Sequence, residues 1–122
     1  MKSSPKSKAD IGARGEDIAA KFLTKDGYSI IERNVRFHGG EIDIVAVKDD
    51  TLIFVEVRVK NSSLVSPEES ILGKKLARVT RAALVYKSIH PELPDAMRID
   101  FIGLQSRGDH MHIEHLENIS TW

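Results

Sequence analysis

Asp43 and Glu56 are the residues whose placement in this sequence asks for chemistry. They lie in Glu41 to Val47 and Leu52 to Val59, two strand-like runs joined by the turn-like Lys48-Asp49-Asp50-Thr51. A two-residue turn at Asp49-Asp50 pairs Lys48 with Thr51. Carried up the hairpin, that register sets Asp43 opposite Glu56 and Glu41 opposite Arg58. Directly opposed side chains have β-carbons ~4.5–5.5 Å apart, and like charges there repel. The two-residue period sorts the faces: Ile42, Ile44, Ala46, Ile53, Val55, Val57 and Val59 make one apolar throughout. The other runs from Val45, Val47, Leu52 and Phe54 near the turn to Glu41, Asp43, Glu56, Arg58 and Lys60 at the far end. A hairpin apolar on one face and half of the other is central in a sheet, so its charged end lines a cleft.

Two carboxylates opposed at a cleft edge must share a proton or a cation. Hard oxygen ligands suit Mg²⁺ or Mn²⁺, with water filling the open positions. Arg58 or Lys60 would then orient a water or stabilise charge developing on a phosphate. The competing reading is a structural network in which Asp43 and Glu56 pair with Arg58, Lys60 or Arg36.

The elements that must position this pair follow from periodicity. Ile11, Ile18, Ala19, Phe22 and Leu23 recur at helical spacing up to Lys25, and Gly27 closes that helix. Tyr28 to Phe37 reads as a strand before the tight loop His38-Gly39-Gly40. Asn61 to Val65 is loop, and Ser66-Pro67-Glu68-Glu69 is a capping box opening a helix to about Ser88. That helix carries its apolar seam on Leu72, Leu76, Val79, Ala83 and Tyr86. Arg98 to Leu104 and His110 to Leu116 are the last strands. Residues 1–8 read as a disordered basic arm and 9–122 as a single domain. The order predicts an α/β layer fold with one mixed sheet flanked by helices.

Composition narrows the partners. The chain is 41% hydrophobic and 30% charged, a globular balance, and it has no cysteine for disulfides, thiol chemistry or thiolate zinc sites. No apolar run is long enough to span a membrane, and nothing in residues 1–9 resembles a signal peptide, so a cytoplasmic protein without membrane contact is expected. The net charge of zero hides an asymmetry, because residues 71–90 hold Lys74, Lys75, Arg78, Arg81 and Lys87 without an acid. Lys74, Arg78 and Arg81, with Lys75 adjacent, make a stripe opposite the seam that either tracks a phosphate backbone or is a solvated face. His110, His112 and Glu114 alternate as on a solvent-facing edge strand. Asp100 either pairs with a base or approaches the cleft, and is read as structural.

Gly15-Glu16-Asp17, Gly40-Glu41-Ile42-Asp43 and Phe54-Val55-Glu56-Val57-Arg58 together resemble the signatures of the YraN family. These are small bacterial proteins similar to archaeal Holliday-junction resolvases, within the PD-(D/E)XK nuclease-like superfamily. The resemblance covers about Ile11 to Ile102. It implies a restriction-endonuclease-like fold in the order α-β-β-β-α-β-β. It also implies catalytic roles for Glu16, Asp43 and Glu56, with Asp43 and Glu56 holding Mg²⁺ or Mn²⁺. Arg58 occupies the position of the family's catalytic lysine. Arginine braces a phosphate but is no tunable base, and Lys60 lies two residues on. The implied function is DNA or structured nucleic-acid binding with Mg²⁺-dependent cleavage of branched or structured DNA, by a homodimer as among the resolvases. The alternative is a nucleic-acid-binding or protein-interaction module that keeps the fold without the chemistry. A sugar hydrolase ranks third, since only Phe37 and Phe54 stand near the pair as stacking platforms.

Overall fold

The computed structural model describes residues 8–60 and 74–122. Helix α1 (Lys8–Lys25) precedes strands β1 (Ser29–Phe37), β2 (Gly40–Lys48) and β3 (Thr51–Lys60). Helix α2 (Lys74–Ile89) is followed by β4 (Ala96–Arg107) and β5 (His110–Leu116). The strands form one sheet in sequential order, antiparallel except for the parallel pair β3–β4. A parallel pair needs a long crossover, and α2 lies in it. The α-β-β-β-α-β-β order and mixed sheet are those expected of a restriction-endonuclease-like fold. Lys8, assigned to the arm from sequence, is the first residue of α1. The rest of the arm, the loop 61–65 and the capping box 66–69 lie outside the described residues.

The central hairpin turns on Asp49 and Asp50, both at positive φ (50° and 59°). Two consecutive left-handed residues match the right-handed twist of the strands, and aspartate tolerates that region. The turn fixes the register, which runs as expected from Lys48↔Thr51 to Ile44↔Val55.

Each face of the sheet is covered by one helix. Ala19 and Leu23 of α1 pack with Ile44, Ala46, Ile53, Val55, Ile102 and Leu104. On the other side Val79, Ala82, Ala83 and Tyr86 of α2 pack with Val45, Leu52, Phe54 and Ile99. Full burial of each larger aliphatic or aromatic side chain stabilises the fold by ~1.5–3 kcal/mol. Among the described residues no helix is long and apolar enough to cross a membrane.

Gly15 sets the spacing of α1 from the sheet. A β-carbon there would overlap Val59 Cγ2 and stand 3.3 Å from Leu104 Cδ1. Gly15→Ala should therefore lower the melting temperature although alanine is the better helix former. Overpacking of ~1–3 kcal/mol outweighs a propensity gain of roughly 1 kcal/mol. A variant melting at or above wild type would show that α1 can move outward without loss.

Asp100, completely buried on the α1 side, ties β4 to β5 and to the C-terminal residues. It accepts from Arg98 Nε (2.9 Å), Arg98 Nη2 (3.3 Å) and the backbone N–H of Asn118 (2.9 Å), and His115 Nε2 lies 2.9 Å away. Burial pushes its pKa up, yet these hydrogen bonds outweigh it and hold the carboxyl below the ordinary aspartate value. Arg98 also donates to Tyr28 Oη at 2.8 Å. The structural reading of Asp100 from sequence is thus correct. His110 and His112 are exposed on edge strand β5, as expected.

Candidate functional site

The alternation of faces reverses at Asp43. In the β1–β2 ladder, Arg33 pairs with Ile44 and Val35 with Ile42, with no pair formed between Asn34 and Asp43. Arg33 reaches the acids of α1 and Ile44 packs under α1, whereas Val35 and Ile42 pack under α2. Both strands therefore change face across this step. Asn34 makes the reversal on β1 with φ 55°, a left-handed conformation that asparagine adopts more readily than most residues. Two expectations are corrected. Ile42 belongs to the α2 face and not with Ile44, and Glu41 pairs with Arg36 of β1, 4.0 Å away, instead of facing Arg58.

Beyond Ile44↔Val55 the β2–β3 ladder stops, and a side chain takes the place of the next backbone acceptor. Asp43 Oδ2 accepts the Val57 N–H at 2.8 Å. Its carboxyl is thereby drawn against that of Glu56, and the two hydrogen-bond to each other. Asp43 is 8% exposed and Glu56 3%. Burial pushes both pKa values up. For Glu56 the negative charge of Asp43 adds to the shift, and the carboxyl is raised to about 8. For Asp43 the Val57 N–H opposes it. Glu56 is therefore the member that keeps the proton. Its one cationic partner among the described residues is Lys75, whose Nζ stands 3.2 Å from Glu56 Oε2.

Glu16 approaches from α1, and its pKa is raised by burial and then by the charge of Asp43. It is held by Arg33, whose Nη2 lies 3.6 Å from Glu16 and 2.8 Å from Asp17, and by a hydrogen bond with Asn34. Arg33 Nε is buried without a hydrogen-bond partner among the described residues. Arg58 and Lys60 follow Glu56 along β3, opposite Gly103 and Gln105 of β4. Among the described residues the cation in contact with Glu56 comes instead from α2.

Lys75 was assigned from sequence to a basic stripe, and its role beside Glu56 was missed. A signal existed, because Lys75 precedes Val79 by four residues and so continues the stripe that α2 turns toward the sheet. Arg78 and Arg81 are exposed as the stripe requires, while the side chain of Lys74 lies outside the described residues. Arg78 and Arg81 line a cleft of about 710 Å³ that also takes in Arg36, Phe37, Glu41 and Lys75. Gly39 and Gly40 line one side of it.

Among the described residues no three His, Cys, Asp or Glu side chains converge as a ready-made ligand set. Two adjacent carboxyl groups, one holding a proton that a divalent cation would displace, still fit Mg²⁺ or Mn²⁺, which accept one or two protein carboxylates and otherwise keep water.

Comparison with known proteins places these positions within one family. Residues 15–104 match the uncharacterised protein family UPF0102, a span holding Glu16, Asp43, Glu56, Lys75, Arg78 and Arg81. The UPF0102 protein of Kosmotoga olearia is 41% identical over 112 residues, covering 91% of this chain and 93% of its own. That of Clostridium perfringens is 45% identical over 93 residues (75% and 76%), and that of Syntrophomonas wolfei 34% over 110 residues (89% and 96%). With the family match spanning most of the sheet and both helices, the chain belongs to the UPF0102 family.

Proposed function

We propose that this protein binds nucleic acid and, with Mg²⁺ or Mn²⁺ held by Asp43 and Glu56, hydrolyses phosphodiester bonds in branched or otherwise structured DNA. The observation that carries the reading is the buried Asp43–Glu56 contact with, among the described residues, a single cation, Lys75, beside it. A pair built only for stability would bring enough donors to ionise both acids, whereas here Glu56 keeps its proton. Bound there, the metal would polarise the phosphoryl oxygens and lower the pKa of the attacking water. Asp43 is fixed for ligation by the Val57 N–H. Lys75 has three donors on a flexible stem, so it can leave Glu56 for a phosphate oxygen once a divalent cation neutralises the carboxylate. Glu16, adjacent through Asp43, is placed to orient water on the α1 side.

A second reading is supported by Arg58 in the lysine position and by the ties from Arg33 and Asn34 to Glu16. It is a binding module that retains the fold without cutting. Incubating a four-way junction and a linear duplex with the protein, with Mg²⁺, Mn²⁺ or EDTA, separates the two. Metal-dependent product supports the nuclease, and binding without product supports the module.

Contact of the stripe with phosphates predicts a salt effect. Replacing Lys74, Arg78 and Arg81 with alanine should weaken DNA binding. It should also reduce the slope of log K against log salt by about one unit per lost contact. An unchanged slope in a binding titration from low to physiological salt would mark a solvated face.

A further inference from the structure

We infer that the cleft between α2 and the β1–β2 loop is a pocket for one unpaired nucleotide next to the phosphate that is cut. This gives the proposed nuclease a preference for flaps, bulges or frayed ends, and it rests on that reading. Among the described residues, Arg36, Lys75, Arg78 and Arg81 give the cleft four cations, against the single carboxylate of Glu41. Phe37 is the one aromatic ring in its lining. The cleft's volume, about 710 Å³, is that of a small-molecule site. An intact duplex offers a protein its outer phosphates and groove edges, which ride across a surface. A concave site lined by guanidinium groups and a ring suits an extruded nucleotide, with its base against the ring and its phosphate among the cations.

Position and rigidity support the assignment. Lys75 lines the cleft and also contacts Glu56, so the cleft opens directly beside the carboxylate pair. A β-carbon on Gly40 would stand 2.8 Å from the Arg78 carbonyl oxygen and 3.1 Å from Ala82 Cβ. The loop is therefore pressed against α2 backbone, and the pocket is formed before a ligand arrives.

The test is a fluorescence-anisotropy titration in EDTA, where no cutting can occur. It compares a blunt hairpin duplex with the same duplex carrying one or three unpaired nucleotides. Wild type should bind the unpaired forms roughly tenfold more tightly, the size of one base–aromatic stack. Phe37→Leu should remove most of that preference while leaving affinity for the blunt duplex nearly unchanged. Arg81→Gln, on an exposed position, should reduce the preference without risk to the core. Equal affinity of wild type for all forms would overturn the pocket, as would a preference that survives both variants. If the blunt duplex is bound and cut with Mg²⁺ but not distinguished, only the pocket falls. Failure to bind any of these DNAs removes the proposed function together with it.

Discussion

Asp43→Asn is expected to abolish Mg²⁺-dependent cleavage, by more than ~100-fold, while the metal-free protein stays folded. Loss of partners behind metal ligands already costs ~10–100-fold, so loss of a ligand should cost at least that. Asparagine keeps an oxygen for the Val57 N–H that Asp43 accepts at 2.8 Å, and its amide can donate to Glu56. Where Glu56 is ionised the substitution also relieves repulsion between adjacent carboxylates, worth ~0.2–1 kcal/mol for a cross-strand pair. The variant should melt at or slightly above wild type in EDTA and lose the rise in melting temperature that Mg²⁺ gives wild type. Clear destabilisation of metal-free Asp43→Asn, together with no effect of Mg²⁺ on wild type, would identify the pair as structural.

Mg²⁺ affinity should climb about tenfold per pH unit between pH 6 and 8 and level off above. The cause is the proton on Glu56, which burial and the Asp43 charge hold to about pH 8 and which must leave before the carboxylate can ligate. Calorimetry in buffers of different ionisation enthalpy should show about one proton released per Mg²⁺ near pH 6.5. The stability of the metal-free protein runs the other way. A folded-state pKa above the unfolded one gives a contribution fully present below the unfolded value of about 4.5, lost as pH rises through about 8. Glu56→Gln should flatten both profiles. A Mg²⁺ affinity independent of pH from 6 to 9 would remove Glu56 from the ligand set.

The sequence made the fold readable because its two periodicities are clean. Ile53, Val55 and Val57 alternate with Leu52, Phe54 and Glu56, and Val79, Ala83 and Tyr86 recur at helical spacing. Asp49-Asp50 fixed the hairpin register, and with it the meeting of Asp43 and Glu56. The reversal of faces at Asn34 and Asp43 was hidden, because Ile42 and Val35 are apolar and suit either side of the sheet. Lys75 was hidden for a different reason. A cation among cations on one helix carries no mark of which one turns inward, and only the phase relative to Val79 separates it from Arg78. Spacing along a strand pointed to Arg58 and Lys60. The reach of a side chain from another layer of the fold decided for Lys75.

The four contacts around Asp100 serve as an internal control for the rest of the sheet. They show how this chain settles a core acid that it ties into the fold: both carboxylate oxygens have two partners and the pKa is held below the ordinary aspartate value. One strand away, the same protein leaves Glu56 with a lysine, a second carboxyl group and a retained proton. The means of satisfying a buried carboxylate are thus present and were not applied there. Stability forgone at one site and secured at another is the trade-off expected where a residue is kept for what it does.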